Sequence, residues 1–463
     1  MKGTLDEAVN SRSLMNQSSA LTTAKPWLIP DVLFWKDKDD YLISNPKEPH
    51  PMKLNIMTFF ILKCCNGKNS LLQILDLITK KFQVEREVAE KDLLGIIELL
   101  VERNFVSLRI PGGIQRRKKQ KIFSLQYVSI ALTNQCNLKC FMCYANSGEH
   151  VENELNFMDW SKVLDSVTKM GAHSLILTGG EPLVYEDFIP LIRYAKNLGL
   201  EIDLCTNGSL ITEETADLFK KEQIRSVRIS LDGGDAKTHD KIRGKTGAFK
   251  KTIRGIKLLK EQNIRTEIQT VVLQNNFNDI AKIAELSTSL GVYKIEFSPI
   301  EKVGRAEGLS EELFLSAEQM RELHEFMLGH QTRYKKQLRT LIKKRPKRFV
   351  NPETCFAYPR CGVGIFLIHI DPVGAIYPCS LLSTSQFRLG NILSDDLKKV
   401  WNKSEILGTF RKKLLEDYKE CQNCGLRYTC LGGCRARAYY LNNDLLGPDP
   451  FYCIYYEPYK SID

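Results

Sequence analysis

The sequence has no long apolar run at its start. Residues 1–24 are polar, so we expect neither a secretory signal peptide nor a membrane-spanning segment there. A chain that is not secreted keeps its thiols reduced, because the cytoplasm opposes disulfide formation. The fourteen cysteines therefore predict a cytoplasmic protein without a membrane partner.

A dense basic face is also missing where a nucleic-acid-binding domain would need one. Residues 89–103 have the spacing of a helix whose apolar stripe is formed by Leu93, Ile96, Ile97 and Leu100. No cluster of Lys and Arg accompanies this stripe, as nucleic-acid binding would require. We therefore expect no nucleic-acid partner, although the formal net charge is +11.

The most informative feature that is present is a group of three cysteines. Cys136, Cys140 and Cys143 follow the spacing C-x3-C-x2-C, and no further cysteine pair lies nearby. A structural zinc site would need four ligands, usually in paired spacings. Three thiolates instead suit a cubane iron–sulfur cluster with one iron open to a small chelating molecule. A chance group of cysteines is the alternative at this point.

A second motif follows a predicted strand. Residues 174–178 read as a buried strand, and Gly179-Gly180-Glu181-Pro182 comes directly after it. Two glycines at a strand end let the backbone approach a ligand closely. A carboxylate beside them can accept hydrogen bonds from an amine. Taken alone, the segment could equally be an ordinary turn.

Together, the C-x3-C-x2-C and G-G-E-P motifs resemble those of the radical S-adenosylmethionine (SAM) enzymes. The resemblance implies that the open iron of a [4Fe-4S] cluster chelates SAM, while the G-G-E-P segment holds the SAM amine. One electron from the cluster then breaks a carbon–sulfur bond and yields a 5′-deoxyadenosyl radical. The cofactor supplies this chemistry, and the protein positions and shields it. An electron donor such as a flavodoxin or ferredoxin is an expected partner.

The same resemblance implies further residues of a SAM pocket. Asn207 lies just past a strand end, and Ser230 and Asp232 match the fourth-strand segment that contacts the ribose. Arg243 lies where relatives keep an arginine near the site, although a surface helix-capping residue is the alternative. Met142 stands where the family often has an aromatic residue, and its flexible side chain could lie against the adenine.

Strand and helix patterns alternate between residues 125 and 300. This alternation predicts an α/β fold with a parallel sheet and crossover helices. Six repeats suggest a partial (β/α)6 radical SAM barrel rather than a closed eight-stranded one. Barrel enzymes place their chemistry after the strand ends, where the cysteines, Glu181 and Asn207 lie. The predicted strands are 127–133, 174–178, 201–206, 226–231, 266–273 and 294–299. The predicted helices are 158–170, 187–197, 213–221, 249–262 and 278–290.

The C-terminal region holds a second set of cysteines. Paired spacings such as Cys421-x2-Cys424 also occur in zinc ribbons, so this stretch alone leaves zinc as an alternative. Behind a radical SAM core, the spacing resembles the SPASM extension, which holds two auxiliary [4Fe-4S] clusters. The cysteines of this region are Cys355, Cys361, Cys379, Cys421, Cys424, Cys430, Cys434 and Cys453.

The SPASM resemblance implies an interleaved assignment of these ligands and three [4Fe-4S] clusters in all. The auxiliary clusters would then have no open iron for substrate. The cysteines outside this scheme, Cys64, Cys65 and Cys205, are interpreted as small buried apolar residues. The ligands of the first auxiliary cluster would be Cys355, Cys361, Cys379 and Cys434. Those of the second would be Cys421, Cys424, Cys430 and Cys453.

One residue departs from a branch of the SPASM family. In sulfatase-maturating relatives an Asp directly follows the cysteine that matches Cys379, and it serves as a base. The corresponding residue here is Ser380. Because a hydroxyl is a poor base at neutral pH, the sequence argues against sulfatase maturation. The catalytic base, if there is one, stays unassigned.

The N-terminal region reads as a small domain of its own. A hairpin at 32–35 and 41–44 precedes helices at 54–65, 70–82 and 89–103. This order resembles PqqD-like peptide-recognition domains, which are winged-helix modules. The resemblance implies that the leader of a ribosomally made precursor peptide adds as a strand to the sheet edge. We expect the strand around Leu42 to form that edge. A nucleic-acid-binding winged helix is the alternative.

The predicted division has a flexible N-terminus, a leader-recognition domain, a basic linker, a radical SAM core, a connecting helical segment and a SPASM domain. The basic runs 116–121 and 335–348 are interpreted as solvated joints, with attraction of an acidic leader as the alternative. The flexible N-terminus is 1–24, the leader-recognition domain 25–112 and the basic linker 113–124. The radical SAM core is 125–310, the connecting helical segment 311–350 and the SPASM domain 351–463.

The combined resemblance predicts an enzyme that modifies a ribosomally made precursor peptide. The 5′-deoxyadenosyl radical would abstract a hydrogen from the core peptide, and a thioether or a carbon–carbon crosslink would form. One alternative is a maturase that acts on an enzyme's active-site residue or builds a peptide-derived cofactor. Another is a non-catalytic peptide chaperone, which the intact motifs disfavour because binding alone needs no open iron.

Overall fold

The chain divides into two compact units by its contacts. The first contains residues 1–121, 344–358 and 425–431, and the second contains the rest. Within the described ranges, no helix is long and apolar enough to cross a membrane. The computed structural model describes residues 20–28, 33–37, 40–44, 52–65, 67, 69–103, 105–108, 123–329, 348–349, 361–412, 418, 420–421, 424, 430 and 432–456. Cys355, most of both basic runs and residues 1–19 lie outside them.

The first unit combines helices with antiparallel strands. A four-stranded sheet has the order β12-β2-β3-β4, and β1 pairs with β5. The strands are β1 (Trp27–Leu28), β2 (Leu33–Asp37), β3 (Asp40–Ser44), β4 (Met52–Leu54), β5 (Val106–Ser107) and β12 (Arg348–Phe349). The helices are α1 (Ala20–Thr23), α2 (Ile56–Cys64), α3 (Leu71–Phe82) and α4 (Arg86–Glu102).

Local signals explain where the helices of this unit begin. The side chain of Asn55 accepts a hydrogen bond from the Thr58 amide at the start of α2. Ser70 and Gln73 form a reciprocal capping box at the start of α3. The predicted apolar stripe of the third helix faces the core, with Leu93 and Ile97 fully buried.

The predicted hairpin is present, but the prediction for Leu42 is wrong. Strand β3 pairs with β2 on one side and with β4 on the other, and Leu42 lies opposite Lys53 of β4. Leu42 therefore belongs to a central strand, and among the described strands its neighbour β4 comes last in the sheet order. The sequence missed β4 because it is only three residues long.

The second unit is built on a nine-stranded sheet with the order β11-β10-β9-β8-β7-β6-β13-β14-β15. Strands β6 to β11 are parallel to their neighbours. The strands are β6 (Tyr127–Ala131), β7 (Ser174–Thr178), β8 (Glu201–Thr206), β9 (Ser226–Ser230), β10 (Thr266–Val272), β11 (Lys294–Pro299), β13 (Leu367–Ile370), β14 (Ala375–Tyr377) and β15 (Gly390–Asn391).

The six predicted parallel strands are confirmed, and the structure extends the sheet beyond them. β13 adds to β6 in parallel, and β14 and β15 continue antiparallel. The helices of this unit are α5 (Phe157–Lys169), α6 (Phe188–Asn197), α7 (Glu213–Lys221), α8 (Ala236–Arg243), α9 (Ala248–Glu261), α10 (Ile280–Ser289), α11 (Ala317–Gly329), α12 (Leu397–Lys403), α13 (Glu405–Lys412), α14 (Arg435–Asn442) and α15 (Pro450–Tyr456).

Because β6 to β11 run in the same direction, the segments that follow them meet at one end of the sheet. Each helix between these strands buries one of its faces. In α5 this face includes Trp160, Val163 and Leu164. The strands alternate between a core side and an inner side, as in the pattern of β11. The inner side of the partial barrel is where the candidate site lies.

Candidate functional site

A cavity of about 510 Å³ opens at the carboxyl ends of the barrel strands. Its lining comes from the loop after β6, the segment after β7 and the ends of β8 to β11, together with residues 379–381 and Arg437. The predicted site residues that line it are Cys136, Cys140, Met142, Cys143, Gly179, Gly180, Asn207, Ser230, Arg243 and Cys379.

The loop that carries the three cysteines, residues 133–148, is called the cysteine loop below. Its ends are held together by backbone bonds between Asn134, Cys136 and Gly148. The carboxylate of Glu154 accepts hydrogen bonds from Thr133 Oγ1 at 2.6 Å and from the Asn134 amide at 2.9 Å. The loop is thus fixed in shape by the protein itself.

The segment after β7 packs directly on the cysteine loop. The Gly180 amide donates to Thr133 O at 2.7 Å, and the Glu181 amide donates to Gln135 O at 2.8 Å. A Cβ atom on Gly180 would lie 2.1 Å from Gln135 O. Glycine is therefore required here by the close approach of two backbones, in addition to any approach of a ligand.

Glu181 is fully buried and holds the end of β8. Its Oε1 accepts from Thr206 Oγ1 at 2.6 Å, and its Oε2 accepts from the Asn207 amide at 2.8 Å. Burial raises the pKa of this carboxyl above its usual value, and the bonds from Thr206 and Asn207 oppose that rise. The cavity wall is formed here by Gly179 and Gly180, while Glu181 and Pro182 lie behind it.

Asn207 links the end of β8 to the cysteine loop. Its Nδ2 donates to Asn137 Oδ1 at 2.8 Å, and its Oδ1 accepts from the Ser209 amide at 2.8 Å. Asn137 in turn donates to Ser209 Oγ at 2.9 Å. These contacts place an amide at the cavity wall beside Cys136.

Arg243 and Asp232 form a buried ion pair at 2.5 Å. Arg243 lies in the last turn of α8 and lines the cavity, so it is not a surface capping residue. Its Nη1 approaches Cys140 Sγ to 3.6 Å. Asp232 is fully buried, accepts from the Val271 amide and is not part of the cavity wall. In the described geometry Asp232 therefore holds Arg243, whereas Ser230 faces the cavity.

Arg305 clamps the cysteine loop from the side of β11. Its Nε donates to Cys140 O at 2.9 Å, and its Nη1 donates to Ser147 O at 2.8 Å. Its own amide donates to Cys143 O at 2.9 Å. Gly304 precedes it with a φ of +63°, and a Cβ there would lie 2.3 Å from Tyr144 O. Sequence reasoning missed Arg305, since no motif marks it.

The cavity wall fits an iron–sulfur cluster with an open iron. Three thiols of one loop line the cavity, and the Arg243 guanidinium lies 3.6 Å from Cys140 Sγ. Burial raises the pKa of Cys136 to about 11 in the protein alone, so a bound cation must supply the stabilisation of its thiolate. No three His, Cys, Asp or Glu side chains of the described residues converge on a single ion. Cubane ligands bind different irons and need no such convergence.

The C-terminal cysteines fall into groups that the structure shows in part. Cys361, Cys379 and Cys434 pack against one apolar cluster formed by Val363, Leu382, Phe387, Phe410 and Ala436. They belong to the four residues predicted for one auxiliary cluster, of which Cys355 lies outside the described residues. Cys421 and Cys424 are adjacent, since the Cys424 amide donates to Cys421 O at 3.0 Å. Cys453 lies on α15 and is exposed.

The interpretation of Cys205 as a small buried apolar residue is wrong, since Cys205 is only partly buried. Its thiol lines the cavity and accepts from Arg228 Nη1 at 3.7 Å. Cys64 and Cys65 are buried as expected. Met142 is also largely buried and lines the cavity, in an apolar cluster with Ile242 and Leu273.

Three domain profiles match the chain. Residues 130–287 match the radical SAM superfamily, and residues 361–425 match the SPASM iron–sulfur cluster-binding domain. Residues 41–106 match coenzyme PQQ synthesis protein D (PqqD). All three resemblances expected from the sequence are thereby confirmed.

Two curated relatives and one solved structure extend the comparison. The AdoMet-dependent heme synthase of Methanosarcina barkeri is 32% identical over 343 residues, which cover 70% of this chain and 95% of the relative. Mycofactocin maturase MftC of Mycolicibacterium smegmatis is 30% identical over 321 residues, which cover 69% of this chain and 80% of MftC. The structure of Streptococcus suis SuiB bound to precursor peptide SuiA matches with a TM-score of 0.59 and 19% identity. The match covers 92% of this chain and 99% of SuiB.

The structural match supports the fold, and the sequence relatives support the family. The relatives at 30% identity or above share most of their length with this chain. The radical SAM profile covers the cysteine loop, and the SPASM profile covers Cys361, Cys379, Cys421 and Cys424. The chain belongs to the radical SAM/SPASM enzymes, and its residues 41–106 add a PqqD-like domain.

Proposed function

We propose that this enzyme modifies a ribosomally made precursor peptide by radical chemistry, and that the cavity at the barrel end is its active site. The observation that carries the proposal is the joint lining of that cavity by three thiols, two glycines and Arg243. Cys136, Cys140 and Cys143 would hold the SAM-binding cluster. When bound, the cluster and SAM together supply a 5′-deoxyadenosyl radical that can abstract a hydrogen atom.

The chain's own residues would then position and shield the reactants. Gly179 and Gly180 would bring backbone close to SAM, while Asn207, Ser230 and Arg243 would offer polar contacts from β8, β9 and α8. Arg305 and Glu154 keep the cysteine loop fixed in shape. Such fixed positioning is what proximity requires.

The N-terminal unit is proposed to bind the leader of the precursor. MftC is named a maturase, and SuiB was solved with its precursor peptide, so both relatives suggest a peptide partner. The PqqD match supplies a domain for it. Among the described residues β4 pairs with β3 alone, so its other side could take an extended leader as an added strand.

Heme synthesis is the rival activity that the relatives raise. The match to the heme synthase covers 95% of that protein but only 70% of this chain. This chain therefore extends beyond the part that matches the heme synthase, as it does beyond the part that matches MftC, and its residues 41–106 match PqqD. A porphyrin substrate would give that domain no role, so we favour the peptide.

The auxiliary sites are proposed to hold two further [4Fe-4S] clusters, giving three in all. Cys361, Cys379 and Cys434 support the first site, since they share one apolar cluster. The second would use Cys421, Cys424, Cys430 and Cys453. A flavodoxin or ferredoxin would supply electrons, and the reduced thiols suit a cytoplasmic setting. The product would be a thioether or a carbon–carbon crosslink.

The test uses anaerobically reconstituted full-length enzyme with SAM, dithionite and the short peptides encoded beside its gene. We expect 5′-deoxyadenosine together with a peptide that has lost two hydrogen atoms. A control without leader should be modified much more slowly, because leader binding raises the effective concentration of the core peptide. Enzyme that produces 5′-deoxyadenosine with a porphyrin substrate and leaves every peptide unchanged would contradict the proposal.

A further inference from the structure

A crosslinking reaction needs a proton acceptor, and position 380 does not supply one. Ser380 lines the cavity, but a hydroxyl is a poor base at neutral pH. Tyr144 also lines the cavity, but a phenol keeps its proton at neutral pH and is a poor proton acceptor. Among the described residues that form the cavity wall, the carboxylates are Glu296 and Glu301.

Glu301 follows the end of β11, at the same end of the sheet as the cysteine loop. Its Oε1 accepts two hydrogen bonds from Arg437, from Nε at 2.8 Å and from Nη2 at 2.6 Å. Within the described part of the chain, its Oε2 has no hydrogen-bond partner. One oxygen thus anchors the carboxylate of a residue that lines the cavity, and the other is left without a protein partner among the described residues.

The charge on Arg437 is shared between two carboxylates. Its Nη1 donates to Asp449 at 3.0 and 3.2 Å, and Asp449 is fully buried. The positive charge of Arg437 therefore stabilises the Glu301 carboxylate less than it would in an ion pair between these two residues alone. Burial raises the pKa of Glu301 above its usual value, the Arg437 charge opposes this rise and the Asp449 charge adds to it. A raised pKa is what a general base near neutral pH requires.

Glu296 is a poorer candidate, although it lines the same cavity. It lies in the middle of β11 and forms an ion pair with Lys294 on its own strand. This ion pair already engages the Glu296 carboxylate on its own strand. Glu296 therefore serves as a matched control for Glu301.

We propose that Glu301 is the catalytic base of this enzyme, whose Oε2 accepts the proton that the peptide releases as the crosslink forms. The inference rests on the proposed peptide-crosslinking function. The peptide loses two hydrogens and gains one bond between the two atoms that carried them. One hydrogen leaves as an atom to the SAM-derived radical. The other leaves as a proton to Glu301 and as an electron to an oxidised iron–sulfur cluster of the C-terminal cysteines.

The test compares Glu301→Gln, Glu301→Asp and the control Glu296→Gln in the full-length holoenzyme. The substrate is the precursor peptide that the wild-type enzyme modifies, deuterated at the reacting carbon. Glu301→Gln keeps the oxygen that Arg437 binds but cannot accept a proton. We expect it to cleave SAM and transfer deuterium to 5′-deoxyadenosine, while crosslinked peptide per 5′-deoxyadenosine falls by about 10²-fold or more. Glu301→Asp should restore part of that loss, and the product ratio should fall far less in Glu296→Gln than in Glu301→Gln.

A second readout does not depend on turnover. The infrared difference between wild type and Glu301→Gln isolates one carboxyl band, whose titration midpoint should lie above that of ordinary Glu. Arg437, Asp449 and the Cys434 thiol are the titratable groups that face it. An unchanged product ratio in Glu301→Gln would overturn the inference, as would equal loss of deuterium transfer or an ordinary midpoint. A wild-type enzyme that modifies no peptide would instead refute the proposed function, and the inference with it.

Discussion

Replacing Gly180 with alanine should separate the two loops that form the cofactor site. The added Cβ would lie 2.1 Å from Gln135 O and 2.7 Å from Asn134 O, whereas ordinary contact begins at 3.4 Å. Both obstacles are backbone atoms, so no side chain can rotate away. The segment after β7 and the cysteine loop must therefore move apart by about 1 Å or more.

The cost of this movement can be worked out from the bonds that join the loops. The Gly180 amide lies 2.7 Å from Thr133 O, and the Glu181 amide lies 2.8 Å from Gln135 O. A shift of about 1 Å stretches both beyond hydrogen-bond range. Two lost bonds at about 1 kcal/mol each and the residual overpacking should lower stability by about 2–4 kcal/mol. A misplacement of that size can also reduce turnover by about 10²-fold.

The assay measures 5′-deoxyadenosine formation, the electron paramagnetic resonance signal of the reduced cluster and the urea midpoint of unfolding. Gly148→Ala is the matched control, because a Cβ there meets nothing within 4 Å and the Gly148 backbone bonds to Asn134 and Cys136 persist. It should behave like wild type. If Gly180→Ala forms 5′-deoxyadenosine at the wild-type rate with an unchanged midpoint, the two loops do not depend on this close approach.

Three further changes test other parts of the site. Arg305→Gln removes charged donors to the cysteine loop, each worth about 1.5–3 kcal/mol, so iron retention after reconstitution should fall while Arg305→Lys retains part of it. Asp232→Asn leaves the Arg243 charge buried without its partner and should cost about 3–5 kcal/mol in urea unfolding; the exposed pair of Asp76 with Arg86 is the control, and Asp76→Asn should change little. Replacing all three cysteines of the cysteine loop with alanine should remove about four of about twelve irons and abolish 5′-deoxyadenosine formation. Full iron content or persistent SAM cleavage in that variant would contradict the ligand assignment.

The barrel strands were predictable because their signal is local. Each is a short apolar run between turn residues and an amphipathic helix, and Ser174–Thr178, Glu201–Thr206 and Lys294–Pro299 begin and end where the pattern indicates. The pairing of β13 with β6 was not predictable, because it joins Ile368 to Val128 across a long stretch of chain. Periodicity shows that a segment is a strand but not which strand it joins.

The same distinction separates the site residues that were found from those that were missed. Cys136, Cys140 and Cys143 follow one another closely, so their spacing in the sequence is enough to show them. Arg305 reaches Cys140 and Arg437 reaches Glu301 across separations of 165 and 136 residues. A single sequence gives no sign of such contacts, because an arginine exposed on the surface cannot be distinguished in it from an arginine that binds a distant loop.

The positions of Glu181 and Asp232 show that one motif can contain both residues that form the cavity wall and residues that hold that wall in place from behind. Both are charged members of motifs that resemble SAM-binding segments, yet both are fully buried behind the cavity wall. Glu181 holds the end of β8, and Asp232 holds Arg243. Their neighbours Gly180 and Ser230 form the wall itself. The carboxylates therefore set the positions of the groups that face the cofactor. Their loss should change the geometry and stability of the site before it removes a direct contact.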